Sequence, residues 1–243
     1  MKIAIMQPYF LPYIGYFQLI AAVDRFVIYD TVQYTKKGWV NRNRLLRNDQ
    51  AVTFTLPLKK ASDFADICQR EVAADFDRGK LVRQFAQAYR TAPQFDRVMP
   101  LLQDILACPD PNLFQFIQHS LTRCCAFLEI ATPIRVASQI EAPKPGKAVD
   151  RVLGICKSLG ADRYINPVGG LDLYIPAAFR AQGLDLLFLK SRVTEYPQFG
   201  AAFQPALSII DVMMFNAPDQ IAALLTQGYD LIEGREANDV SLA

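Results

Sequence analysis

Between residues 31 and 48 the chain carries five basic side chains, Lys36, Lys37, Arg42, Arg44 and Arg47, and no acidic one. Arginine and asparagine alternate there, and such donors suit the oxygens of a phosphate. The solvated outer face of a hairpin would show the same pattern, and the residues alone leave both readings open. A surface for duplex nucleic acid would spread its cations further, so nucleic acid is not expected as a partner. A second stretch, QPYFLPYIGYFQLI at residues 7–20, brings Gln7, Pro8, Tyr9, Pro12, Tyr13, Gly15 and Tyr16 together directly after the apolar run Ile3-Ala4-Ile5-Met6. Gly15 lies near an expected helix start, where the absence of a side chain lets a ligand approach backbone N–H groups.

Positioning these stretches requires a strand at 2–6, a helix at 12–22 and a second strand at 25–30 closed by Asp30. That order is a βαβ unit, which predicts a parallel sheet with a right-handed crossover. Residues 38–58 read as two strands around a turn at Arg47-Asn48-Asp49-Gln50, an excursion from the main sheet. Helical spacing marks 78–90, 95–107 and 112–130, punctuated by Pro93, Pro109 and Pro111. Further on come a strand at 134–138, a helix at 146–160 ended by a glycine, and a strand at 163–167. A broken helix at 171–183, a final strand at 184–190 and two closing helices at 207–216 and 218–228 complete the chain. The expected class is α/β: a doubly wound, mainly parallel, Rossmann-like sheet with a β-hairpin excursion and a helical insertion at about 76–131. One domain over 1–233 and a loose tail over 234–243 are expected. In such sheets ligands bind where strands end and helices begin.

The 243 residues suffice for a sizeable core. Net charge is +2, which by itself points to neither nucleic acid nor membrane. No apolar run approaches the roughly 20 residues that span a bilayer, and the short apolar N-terminus is too brief for a signal peptide, so a cytoplasmic protein is expected. Five cysteines without CxxC spacing read as reduced, mostly buried thiols. With one histidine, His119, no protein-built metal site is expected. A lone histidine on a helix is more often a packing or surface residue than a catalytic one.

Tyr13-Ile14-Gly15-Tyr16 resembles, position for position, the His-Ile-Gly-His signature of the nucleotidylyltransferase and class I synthetase superfamily. The likeness implies the superfamily's fold. Both histidines are tyrosine here, and a phenol is neutral at pH 7 and cannot meet phosphate charge as an imidazolium does. The lysine of the superfamily's second signature has no counterpart. A more specific resemblance, to the WbqC-like family, is carried by MQPYFLPYIGYFQLI, DRFVIYDTVQYTKKGWVNRNR, SLGADRYINPVGG and LSIIDVMMFN, and runs nearly end to end. Members are typically encoded in bacterial polysaccharide and O-antigen gene clusters. The resemblance implies a transferase that moves an acyl or glycyl group to the amine of a nucleotide-linked amino sugar. The acyl or aminoacyl thioester donor would come from a carrier such as an acyl-carrier protein. A nucleotidylyltransferase or AMP-forming ligase using ATP, and a non-catalytic nucleotide- or glycan-binding scaffold, are the alternatives. No cofactor and no oligomeric state follow from the sequence.

Transfer to an amine needs a base and donors for the developing oxyanion. Asp30 is the candidate base, or else a turn cap, and Tyr16 the second candidate catalytic group. Gln33, Tyr34, Lys37, Trp39, Asn41, Arg42 and Asn43 follow within thirteen residues of Asp30. Lys37, Arg42 and Asn43 read as clamps on a diphosphate. Trp39 reads as a flat surface for a base or sugar ring, or else as a buried hairpin anchor. Gly169 and Gly170 stand between a strand and a helix, where amides face an anion or merely form a tight turn. Asp172 would bond a sugar hydroxyl or favour the first helical turn. Ser208 and Asp211 have capping-box spacing, and in the functional reading that helix start faces the ligand. The aromatic loop at 195–200 is a candidate cover for a substrate.

Overall fold

The computed structural model describes residues 1–142, 148–200 and 202–234. Six strands form the main sheet in the order β5-β2-β1-β6-β7-β8. Strands β1 (Lys2–Met6), β2 (Arg25–Ile28), β5 (Ile134–Val136), β6 (Arg163–Pro167) and β7 (Asp185–Ser191) are parallel, with Ile3 opposite Arg25 on one side and Tyr164 on the other. The sequence reading ended the sheet at β7. The structure adds β8 (Tyr229–Glu233), antiparallel on β7 and formed directly after the last helix. Its alternation is weak, with no fully buried residue, as an edge strand allows.

Side chains alternate across β1 as strand geometry requires. Ile3 and Ile5 enter one buried cluster with α5 (Ala148–Ser158) and α6 (Pro176–Arg180). Ala4 enters the other, beneath α1 (Ile14–Ala21) and α8 (Pro218–Gln227). Helices α1 and α5 thus cover opposite faces, and the strand order reverses between β1 and β6. That reversal is the switch point at which doubly wound sheets bind ligands.

The excursion is a two-stranded antiparallel hairpin, β3 (Arg42–Arg47) with β4 (Gln50–Thr55). Asn48 and Asp49 turn it with φ of 50° and 60°, the left-handed pair of a two-residue hairpin turn. Helices α2 (Arg78–Tyr89), α3 (Phe95–Leu106) and α4 (Leu113–Phe127) follow and share the α1-side core with the hairpin. Phe54 and Phe85 pack edge to face with centroids 4.9 Å apart. Of the expected broken helix at 171–183, five residues of α6 are helical. The expected helix at 146–160 is described from Ala148, its first two residues lying outside the described set. The expected tail lies outside it beyond Gly234.

Candidate functional site

The loop leaving β1 is fixed by backbone and side-chain contacts from two distant elements. Phe10 N–H donates to the Val40 carbonyl at 2.9 Å, and Ile209 N–H donates to the Pro12 carbonyl at 2.8 Å. Between them Leu11 has a φ of 44°. A left-handed conformation costs an L-residue about 1–2 kcal/mol, so it persists where its surroundings hold it. Here the Leu11 carbonyl accepts from Asn43 Nδ2 and from Ser208 Oγ, both at 2.8 Å. The two prolines and the apolar residues between them therefore build a turn clamped by the hairpin and by the start of α7 (Ile209–Phe215).

This clamp leaves a pocket of about 190 Å³ at the carboxyl edge of the sheet. Tyr9, Pro12 and Tyr13 of the loop form one wall; Trp39, Asn43 and Arg44 of the hairpin region form the other; Ala206 closes it. Trp39 is 43% exposed, and the guanidinium carbons of Arg42 and Arg44 lie 5.4 and 5.6 Å from its ring centre. Burial raises the pKa of both Tyr9 and Tyr13, and at Tyr9 the neighbouring Tyr13 raises it further. Both phenols are thus neutral donors near pH 7. The pocket combines flat aromatic surface, one lining cation and no lining carboxylate. Such a set receives an anion attached to a ring.

The expected site residues divide into groups. Tyr9, Tyr13, Trp39 and Asn43 line the pocket. Ser208 stands behind it as the N-cap of α7, its Oγ also accepting from Ile210 N–H at 3.3 Å. Arg42 borders Trp39, but its Nε donates to the Gly38 carbonyl and its Nη2 to that of Lys37, so it fastens the loop preceding it. Lys37 is exposed. Gly15 takes part through Tyr13: a Cβ on it would lie 2.4 Å from the tyrosine ring, which rests over the first turn of α1 where a ligand was expected.

Tyr16, by contrast, is buried in the core against Phe17 and Phe26, and its hydroxyl donates to the Gln7 carbonyl at 2.9 Å. That bond ties α1 to the end of β1, beside the buried Pro8. Tyr34 donates to Asn41 Oδ1 at 2.8 Å, and Asn41 Nδ2 donates to the Leu56 carbonyl at 2.7 Å, closing the base of the hairpin. Gln33 donates to the Asp63 carbonyl. Asp30 lies two residues beyond β2, 3% exposed, and its Oδ1 accepts Ser138 N–H at 3.0 Å. It is outside the pocket wall, at the same edge of the sheet.

Gly169 and Gly170 form a 3₁₀ turn after β6, and Asp172 beyond them is exposed. A Cβ on Gly170 would come within 1.9 Å of Asn166 Nδ2, so this glycine accommodates a side chain of its own chain. Asn166 is in turn held by the Tyr164 hydroxyl at 3.0 Å.

Asp211 does not close the expected capping box. Its carboxylate is fully buried and turns away from the helix start, to accept three donors: Tyr89 at 2.8 Å, Tyr196 at 2.7 Å and Gln198 at 2.8 Å. Desolvation raises its pKa, opposed by those three hydrogen bonds. Gln198 Oε1 also accepts Gln204 N–H at 2.8 Å, and Arg44 Nη2 donates to the Ala206 carbonyl at 3.0 Å. The aromatic loop thus runs from the buried carboxylate to the pocket wall. Sequence reasoning had Arg44 in the basic run and Pro12 in the loop after β1 without singling out either as a contact residue, and it assigned no role to Ala206. Arg44 was legible, since the period of a strand puts it on the face of Arg42. Ala206, with a φ of 54°, carried no signal.

Other chemistry is sparse. A larger cavity, of about 310 Å³, lies between the end of α4 and α8, with Phe127, Ile130, Ile221 and Leu225 among its walls. Burial pushes the thiols of Cys125 and Cys156 up to about 12, which leaves them protonated and unreactive at neutral pH. No group of three or more His, Cys, Asp or Glu residues able to hold a metal occurs among the described residues. Among them, too, no helix is long and apolar enough to cross a membrane.

A doubly wound α/β protein with an aromatic, cationic pocket beside its switch point is the class these features define. The chain belongs to the WbqC-like protein family, whose model matches residues 7–223. It is 29% identical over 227 residues to Rv1507c of Mycobacterium tuberculosis, described as an uncharacterized protein, covering 90% of this chain and 97% of that one. No solved structure matches the chain.

Proposed function

We propose that this protein binds a nucleotide-linked amino sugar at the Trp39 pocket and transfers an acyl or glycyl group to the sugar amine, in the biosynthesis of a bacterial surface polysaccharide. The observation that carries the reading is the exposed Trp39 ring with two guanidinium groups within 6 Å, in a pocket at the carboxyl edge of a parallel sheet. A stacking surface next to uncompensated positive charge suits a nucleotide better than a neutral metabolite. In this reading Asp30 takes the proton of the attacking amine, and an acyl or aminoacyl thioester, carried by coenzyme A or an acyl-carrier protein, is the donor. The amine nitrogen bonds to the thioester carbonyl and the thiol leaves. Adenylyl transfer from ATP is less well supported, because the Tyr16 hydroxyl is buried and committed to the Gln7 carbonyl.

The test is to incubate the protein with a panel of nucleotide-linked amino sugars and acyl thioesters and to read acylated product by mass spectrometry. Product is expected with at least one pair. Asp30→Asn should lower its rate about 10²- to 10⁴-fold, the usual contribution of a general base. Nucleotide-sugar binding with no product from any donor would replace transfer by a non-catalytic binding role, which the lack of a carboxylate in the pocket wall favours. Failure to bind any nucleotide-linked sugar would sink both.

A further inference from the structure

Of the three residues whose types suggested a diphosphate clamp, two have donors committed to the protein itself. Arg42 gives Nε and Nη2 to the carbonyls of Gly38 and Lys37, and Asn43 gives its amide to Leu11. Arg44, one strand period further, is differently placed. It lines the pocket, and a single guanidinium donor, Nη2, is held by a protein acceptor, the Ala206 carbonyl. Its Nε is enclosed without a partner, and no carboxylate pairs with it among the described residues. An arginine has five donors in a fixed fork, and an enclosed donor without an acceptor is costly.

The guanidinium is also held in place without being neutralised. The Ala206 carbonyl that orients it belongs to a residue at φ 54°, and the Arg44 carbonyl accepts Ser208 N–H at 2.9 Å. The segment bearing Ala206 is tied through Gln204 and Gln198 to the buried Asp211. A cation fixed by neutral acceptors keeps its full charge for a ligand.

We infer that Arg44 is the anion-selecting residue of this pocket, and that with Trp39 and Tyr13 it forms a subsite for the diphosphate of a nucleoside diphosphate. The inference rests on the nucleotide-sugar reading above and names the residue and the ligand group that reading leaves open. With a volume of about 190 Å³ the pocket lies below the usual 300–1,000 Å³ for a whole small-molecule ligand. It therefore takes part of the ligand, a ring and the adjoining phosphates, while the remainder extends along the open edge of the sheet.

Calorimetric titration of the full chain with nucleoside diphosphates, the matching nucleosides and inorganic pyrophosphate tests it. The unmodified protein should bind a diphosphate at least tenfold more tightly than its nucleoside, with an affinity that falls as salt is raised. Arg44→Gln should weaken diphosphate binding about 10- to 100-fold, the scale of a charge-assisted contact, and leave nucleoside binding unchanged. Arg44→Lys, which keeps the charge but loses the fork, should fall between. Unaltered diphosphate affinity in Arg44→Gln would overturn the role of Arg44 and leave the nucleotide-sugar reading standing. Absence of diphosphate binding by the unmodified protein would overturn both. If Arg44→Gln does not fold, equal affinity of the unmodified protein for diphosphate and nucleoside decides against the subsite.

Discussion

The Asp211 cluster and the Trp39 pocket share the segment from Tyr196 to Asp211, yet they are built on opposite terms. At Asp211 a buried carboxylate is met by three donors from two elements, and nothing polar in its first contacts is left for a ligand. At Trp39 two arginines crowd an exposed ring, and no carboxylate among the described residues pairs with them. A closed polar network stabilises and fixes geometry; an open one with surplus charge gives up stability and acquires affinity. The difference teaches which acid and which base to expect in each role. Asp211, conspicuous as an acid at a helix start, is a girder. Arg44, one of five basic residues in a run, is the group left with an enclosed donor that has no partner.

Breaking the closed side should have the largest effect. Asp211→Ala strands the hydroxyls of Tyr89 and Tyr196 and the amide of Gln198 in a dry interior. A buried donor left without an acceptor costs about 1–3 kcal/mol, so three of them are expected to lower stability by several kcal/mol, seen as a shift in the urea midpoint. On the open side, Trp39→Ala should move stability by no more than about 0.5 kcal/mol, as for an exposed residue. It should weaken nucleotide binding by about 1–3 kcal/mol, the worth of a stacked base, in a calorimetric titration. A change that left stability low and binding intact would invert the comparison.

Gly15→Ala sharpens it further. The added methyl group meets the Tyr13 ring, a side chain 37% exposed and free to swing outward. Stability should change by less than about 1 kcal/mol while the pocket loses one aromatic wall and nucleotide affinity falls. The smallest effect is electrostatic. Because burial raises the pKa of Asp211 above its ordinary 3.8, the folded protein holds this proton more tightly than the unfolded chain does. Stability from this group is therefore greatest below that ordinary value and declines as pH rises through the raised one. Asp211→Asn should remove that decline, so that unfolding free energies of the two proteins, measured from pH 3 to 7, diverge in slope. Parallel slopes would show that folding leaves the pKa of this carboxyl unshifted.

The parallel strands, the hairpin turn and all three middle helices were legible because each depends on local signals: apolar periods of two or 3.6, prolines between helices and a turn pair at Asn48-Asp49. Strand β8 was not, since an edge strand with no buried residue carries little apolar alternation. Of the candidate site, Tyr9, Tyr13, Trp39 and Asn43 were found by residue type, and Ser208 by its capping position. Tyr16 and Arg42 have the right chemistry, but their donors face inward to carbonyls of the protein, a matter of side-chain direction that spacing does not encode.

By itself the sequence determined the doubly wound sheet and the hairpin, because hydrophobic periodicity and turn residues act over a few neighbouring positions. Which polar groups meet was decided by tertiary structure alone. Asp211 lies 122 residues from Tyr89 along the chain, and Arg44 lies 162 from Ala206. Hydrogen bonding and charge pairing depend on distances of about 3 Å between such remote groups, and those distances exist once the core has closed.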